Sequence, residues 1–467
     1  MSHPAGHVFD PTILREYDIR GIVGETLTAA DAHALGRAYA TMLRAAMPQA
    51  GGGLRVCLGF DGRLSSPELA TALGEGLERS GVEVLGVGRG PTPMMYFAVY
   101  HLGADGGLQV TGSHNPPSHN GFKMMLGKKP LYGAQIQELG QIAAEGAFSD
   151  AKGARSETPL LDAYVDRLLR DFRPGRPLHV VWDAGNGATG EALQAMTSGL
   201  PGRHELLFGD IDGRFPNHHP DPTIPENLSA LIATVRAQGA DLGIAFDGDG
   251  DRIGVVDGRG RILFGDQLMQ ILAADVLARH PGSPILADVK TSQALFDEVE
   301  RLGGRAVMGK TGHSLMKIAM AEMGAPLAGE MSGHIFYADG FYGYDDALYV
   351  AIRLLGILGQ DDLSLAERRD RMAAMVNTPE LRFDCPEERK FAVIDRVKAE
   401  LEAEGAEVNA IDGVRVSTGD GWWLLRASNT QAVLVARAEA RDQAGLERLK
   451  QQLAARLRSA GVEPPAF

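Results

Sequence analysis

The sequence predicts an α/β protein of three related domains followed by a smaller α+β domain, and two observations carry the prediction. The first is a plan that occurs three times: an apolar strand, a short loop carrying Asp, then a helix. Strand–helix–strand alternation of this kind implies parallel strands covered by helices. The second is a change of pattern over the last part of the chain, where a helix, short strands and a final amphipathic helix follow one another.

In the first unit, LRVCLGFDGRLSSPELATALGEGLERSG, Leu54–Phe60 reads as strand, and Ser65 or Ser66 caps a helix with Pro67 near its start. In the second, LHVVWDAGNGATGEALQAM, the strand runs from Leu178 to Trp182 and the helix begins at about Gly190. In the third, SPILADVKTSQALFDEVERLGG, the strand extends through Ala287 and a helix starts from Ser292. After the polar segment MVNTPELRFDCPEERK comes a helical FAVIDRVKAELEAEG, then strands around VRVSTGDGWWLLRASN and AVLVARAEA, and the helix AGLERLKQQLAARLRSAG. The expected domains are 1–158, 159–261, 262–373 and 374–467.

Bulk properties narrow the function class. At 467 residues the chain is too long for one ordinary core. A net charge of −14 argues against a general nucleic-acid or anionic-membrane surface, both of which need a basic face. Cys57 and Cys385 are the only cysteines and have no CxxC spacing, which favours a reducing compartment and no disulfide framework or zinc cluster. The N-terminus MSHPAGHVFDPTILREYDIRG has no apolar leader core, and no run approaches ~18 apolar residues. A cytoplasmic location is expected.

Residues 241–256 read DLGIAFDGDGDRIGVV, with Asp247, Asp249 and Asp251 alternating with glycine between two apolar runs. Carboxylates this dense raise one another's pKa unless a hard divalent cation relieves them, and oxygen ligands suit Mg²⁺ or Ca²⁺. An EF-hand would need Gly at its sixth position and Glu at its twelfth, where this chain has Arg252 and Gly258. What remains is a strand–loop–strand metal site with an arginine beside it, a pairing suited to a metal-bridged phosphate.

Residues 109–123 read QVTGSHNPPSHNGFK. The residues argue against a Ser–His hydrolase with His114 as base, because adjacent residues rarely meet the geometry of nucleophile and base and no G-x-S-x-G elbow surrounds Ser113. His114 is then a loop or phosphate-positioning residue. A serine in a long loop stiffened by prolines, with Lys123 downstream, suits a phosphoryl carrier facing a metal and cations. The pair His218–His219 has no partners at ligand spacing and is expected to be structural, an interdomain contact.

TGSHNPP with GFK, DGDGDR, GEMSGH and RASNT occur in this order, together with YDIRG, PNHHPDP and KTGHSL. This set resembles the α-D-phosphohexomutases over essentially the whole chain, with the bacterial bifunctional phosphomannomutase/phosphoglucomutase branch the nearest. The resemblance implies four domains around a central cleft, the first three with mixed sheets, and a monomer. It implies interconversion of the 1- and 6-phosphates of mannose and glucose through phospho-Ser113 and a hexose 1,6-bisphosphate that reorients and also activates. Mg²⁺ would be held by Ser113, Asp247, Asp249 and Asp251. Arg20, Lys123 and Arg252 are the cations expected around the transferring phosphate, and His334 or His313 the general base. Arg426, Ser428, Asn429, Thr430 and Arg437 would grip the remote phosphate, a planar guanidinium offering two donors at once. Glu330 and Ser332 would read sugar hydroxyls, with Tyr17 and Lys290 lining the cleft. A phosphoglucosamine mutase is the nearest rival, disfavoured by Gly112 and Met331, and a metal-dependent phosphatase the next.

Overall fold

The computed structural model describes residues 6–48, 53–429 and 431–465, and they form two compact units, residues 1–268 with 332–369 and residues 269–331 with 370–467.

In the first unit a mixed sheet runs Ile19–Ile22, His119–Leu126, Gly106–Val110, Leu54–Phe60, Val82–Arg89 and Ala154–Glu157. The last four strands are parallel, as the repeated strand–helix plan requires, while His119–Leu126 is antiparallel to both its neighbours. That reversal follows from a direct connection: the loop after Val110 turns straight back instead of crossing over through a helix. The predicted strand Leu54–Phe60 and helix Ser66–Arg79 are present. Ser65 occupies the cap position without a side-chain cap bond, its hydroxyl instead accepting from Asn120 Nδ2 at 2.8 Å. A second sheet runs Ile262–Leu263, Ile253–Asp257, Leu242–Phe246, Leu178–Asp183 and Gly202–Leu207. Leu242–Phe246 and Ile253–Asp257 pair antiparallel and are buried along their whole length, so the acidic loop between them hangs from a rigid apolar hairpin.

In the second unit Pro284–Asp288 lies between Arg305–Gly309 and Leu327–Gly329, parallel to both. Ser292 caps helix Gln293–Arg301, its hydroxyl accepting from Ala294 N. The C-terminal sheet is antiparallel, in the order Val376–Asn377, Val433–Ala440, Gly421–Ala427, Val414–Thr418 and Val408–Asn409. Helices Glu387–Ala403 and Gln443–Ser459 cover it through Val397, Leu401, Leu449, Leu453 and Leu457. The first of these begins four residues before the expected Phe391, because Pro386 opens it and Glu387 and Glu388 favour the positive end of its dipole. No helix among the described residues is long and apolar enough to cross a membrane.

Candidate active site

The acidic loop is shaped by its first carboxylate. Asp247 Oδ1 accepts from Gly250 N, Asp251 N and Arg252 N at 3.0, 3.1 and 3.2 Å, which folds the loop back on itself and leaves Oδ2 to a neighbouring loop. Two glycines are required by what surrounds them. Gly250 has φ +77°, and a Cβ on Gly248 would stand 2.3 Å from the carbonyl oxygen of Ser113. The loop therefore packs directly against the serine loop, and Ser113 Oγ donates to Asp247 Oδ2 at 2.7 Å.

Ser113 is 2% exposed and sits at φ +47°, a backbone region sparsely used by serine. Its N–H donates to Thr111 Oγ1 at 2.8 Å. Lys123, on the strand that returns from the loop, donates to Asp249 Oδ2 at 2.8 Å and to Asp251 Oδ2. Arg20, on strand Ile19–Ile22, donates from Nη1 to Gly112 O and Asn115 Oδ1, both at 2.7 Å, and pairs with Asp18. Tyr17 is half-buried in the bend just before that strand.

All three loop aspartates are fully buried, and their carboxylate oxygens lie close enough to share one ion. Burial pushes the Asp247 carboxyl well above the usual carboxylate range, and the charges of Asp249 and Asp251 add to this. At Asp249 burial acts the same way, but the Lys123 ammonium beside it outweighs burial and holds the group below the usual range. Burial alone would lower the Lys123 pKa, yet Asp249, Asp251 and Asp247 together lift it above the ordinary lysine value. One ammonium cannot balance three carboxylates, and Asp249 Oδ1 and Asp251 Oδ1 are buried without a hydrogen-bond partner. Orphaned, negatively charged oxygens converging on one point fit a hard divalent cation.

His334 adjoins the same cluster. Its Nε2 accepts from Arg252 Nε at 2.9 Å, and its Nδ1 is 2.9 Å from Asp345 Oδ2. A guanidinium N–H can only donate, so in this arrangement Nε2 is the acceptor and the imidazole proton is on Nδ1, which also lies 3.6 Å from Asp251 Oδ1. Thus Ser113, Lys123, Arg20, Arg252, His334 and the three aspartates are brought together in the first unit. Ser332, two residues before His334, is half-buried there.

The remaining candidates belong to the second unit. Arg426 Nε donates to Asp412 Oδ2 at 3.0 Å, and the same oxygen accepts from Thr311 N at 3.0 Å. Next along the chain, Gly312 N donates to Glu330 Oε1 at 2.5 Å, so the turn that starts the helix with His313 ties Glu330 to Arg426 through shared neighbours. Lys290 Nζ donates to Glu380 Oε2 at 2.8 Å, and Arg437 donates to the Lys290 carbonyl. Lys290 holds Glu380 ionised against its burial, well below the usual range. Ser428 Oγ accepts from Gln431 N at 3.2 Å, Asn429 is half-buried beside it, and Thr430 lies outside the described residues.

Several groups escaped the sequence reading. Thr92 donates to Asp249 Oδ2 and supports the cluster from a helix that no motif marks. Asp345 has a visible signal, the pair of aspartates in YGYDD, but nothing local ties it to His334. Asp412 and Glu380 become visible only as partners of Arg426 and Lys290. His114 Nδ1 is 3.0 Å from Asp221 Oδ2, which fits a loop role. His218, expected to be structural, has Nε2 3.0 Å from Asp183 Oδ1 and Nδ1 3.0 Å from the carbonyl oxygen of His219.

Comparison with known proteins gives one answer along the whole chain. Four family models match in sequence: phosphoglucomutase/phosphomannomutase alpha/beta/alpha domain I over residues 11–150, domain II over 162–260, domain III over 264–375, and the C-terminal domain over 380–456. The chain is 45% identical over 451 residues to a phosphoglucomutase of Neisseria gonorrhoeae, covering 96% of this chain and 97% of that one. It is 43% identical over 450 residues to a phosphomannomutase/phosphoglucomutase of Pseudomonas aeruginosa, covering 96% of each. A crystal structure of a phosphoglucomutase/phosphomannomutase family protein from Burkholderia thailandensis superimposes with TM-score 0.91 at 43% identity, covering 98% of this chain and 99% of the other. The fold, the acidic loop and these matches agree: the chain belongs to the phosphoglucomutase/phosphomannomutase family.

Proposed function

We propose that Ser113 is the phosphoryl carrier of a phosphomannomutase/phosphoglucomutase. Family membership makes the chain a hexose phosphate mutase, an isomerase that moves a phosphoryl group between two hydroxyls of one sugar. The observation that carries the finer reading is Ser113 Oγ, 2.7 Å from Asp247 Oδ2 at the edge of a buried carboxylate cluster with unpartnered oxygens.

In this reading phospho-Ser113 donates its phosphoryl to the free hydroxyl of a hexose phosphate. The 1,6-bisphosphate so formed reorients, and Ser113 takes back the other phosphoryl. Asp247, Asp249 and Asp251 would hold Mg²⁺, which neutralises charge on the transferring group. Arg20 fixes the serine loop through Gly112 O and Asn115 Oδ1 and stands ready as a donor to phosphate. His334 is the general base, its Nδ1 standing 2.9 Å from Asp345 Oδ2 and its Nε2 lone pair available once Arg252 turns to phosphate. Glu330 and Ser332 read sugar hydroxyls, while Arg426, Ser428, Asn429, Thr430 and Arg437 hold the remote phosphate. His313, Tyr17 and Lys290 are further substrate contacts. The substrates are glucose and mannose phosphates, and the enzyme acts as a cytoplasmic monomer.

Incubation with glucose 1,6-bisphosphate followed by peptide mass spectrometry should place one phosphate on Ser113. An assay with the 1-phosphates of mannose, glucose and glucosamine should show 6-phosphate formation from the first two. Release of free phosphate in step with substrate consumed would reject the mutase cycle.

A further inference from the structure

Arg63 has no part in the chemistry above, yet its side chain is among the largest fully buried ones in the protein. It lies in the turn between strand Leu54–Phe60 and helix Ser66–Arg79. From there its guanidinium gathers the serine loop. Nη2 donates to Ser113 O at 2.7 Å and Asn115 O at 2.6 Å, and Nη1 donates to Pro116 O at 2.7 Å and His119 O at 2.9 Å. Asp61 closes the other side, with Oδ2 3.3 Å from Arg63 Nε and accepting from Gly112 N at 3.2 Å.

A desolvated guanidinium is a costly way to fill space, and an apolar side chain would serve if packing were the need. The four carbonyls account for the arginine. Between Gly112 and His119 the loop makes two backbone bonds of its own, Asn115 N to Gly112 O and His119 N to Pro116 O. Ser113, at φ +47°, needs an external hold to keep that backbone. Arg63 fixes the Ser113 carbonyl on one side while Gly248 abuts it on the other, which sets where Oγ stands beside Asp247. Gly112 belongs to the same device: a Cβ there would lie 2.4 Å from Arg63 Cζ and Nε, so alanine at this position would drive the fork off the loop.

We propose that Arg63 is a positioning residue for phosphoryl transfer, a four-carbonyl clamp that holds Ser113 in line with the acidic loop; this rests on the reading of Ser113 as carrier. A planar fork is essential to it, so lysine cannot replace it.

The test measures kcat, KM, melting temperature and Ser113 phosphorylation by glucose 1,6-bisphosphate in wild type, Arg63→Lys, Gly112→Ala and the double variant. Misplacement of a reacting atom by about 1 Å costs roughly 10²-fold, so kcat in each single variant should fall about 10- to 100-fold. KM should stay within about twofold, because no proposed sugar contact is touched. The double variant should lose no more than about threefold beyond the worse single one, since both changes break the same contact. If Arg63→Lys does not fold, Gly112→Ala decides alone by its kcat. An unimpaired kcat, losses that multiply, or a drop in folded protein with normal turnover per folded molecule would each overturn the proposal. A wild type that never acquires phosphate on Ser113 refutes the carrier reading instead. A phosphorylated wild type beside an unimpaired Arg63→Lys refutes Arg63 alone.

Discussion

The charged candidates of the first unit crowd together, whereas those of the second are paired off one by one. Asp249 and Asp251 share the Lys123 ammonium, Asp247 meets Ser113 Oγ, and one oxygen each of Asp249 and Asp251 has no hydrogen-bond partner. In the second unit Arg426 has Asp412, Lys290 has Glu380, and Arg437 rests on the Lys290 carbonyl. The first arrangement has an excess of buried negative charge and calls for a cation. In the second, Arg426 and Lys290 each already meet a carboxylate, and Arg437 also stands 3.9 Å from Glu439.

The largest break in this contrast is Ser113→Ala. Turnover should fall by about 10³-fold or more with an unchanged far-ultraviolet spectrum and melting temperature, as measured by 6-phosphate formation. Retained turnover would remove the first region from the chemistry.

Next comes a test of how far the excess negative charge extends. Asp346, one residue beyond the His334 partner, caps helix Ala347–Leu358 and is fully buried; burial pushes its carboxyl up to about 7. The folded state therefore keeps its proton to about pH 7, while the unfolded chain releases it near pH 4. Stability contributed by this group is complete below the unfolded value and declines as pH rises from about 4 to 7, by at most ~4 kcal/mol. Urea melts at several pH values should show that slope in wild type, and Asp346→Asn should flatten it.

Metal binding is the third test. Mg²⁺ at about a hundred times its Kd should stabilise the protein by about 2.7 kcal/mol, lost on adding a chelator. Asp249→Asn should weaken Mn²⁺ binding by at least about tenfold in a paramagnetic-resonance titration of the substrate-free protein. Undiminished binding would place the ion elsewhere.

The smallest effect is expected in the second region. Arg426→Ala should raise KM for both the 1-phosphate and the 6-phosphate by about tenfold, the worth of one charged hydrogen bond, with Ser113 still phosphorylated by glucose 1,6-bisphosphate. An effect on only one of the two substrates would mean that this arginine does not serve both orientations.

Much of the architecture is legible locally. Strand Leu54–Phe60 and the hairpin around DGDGD follow from apolar runs closed by Asp and Gly, and Ser292 marks its helix start by capping chemistry. The aspartates stand out because three carboxylates so close together between apolar runs repel one another unless a cation joins them. Ser113 stands out because a stiff loop with a lysine downstream suits a carrier. What the sequence could not supply were partners distant along the chain: Arg63 for the Ser113 loop, Asp345 for His334, Asp412 for Arg426. Each is an ordinary charged residue in its own neighbourhood, distinguished only by what folding sets against it.

By itself, then, the sequence determined the α/β plan and the acidic loop, because strand and helix periodicity and residue chemistry are local properties. Tertiary structure alone decided which charge faces which: that Lys123 enters the aspartate cluster, that His334 stands beside Asp345, and that one buried guanidinium gathers the serine loop. The reason is physical. Burial strengthens every charge interaction and penalises every unpaired one, so the partners are chosen by the three-dimensional interior and leave no mark in the spacing of residues.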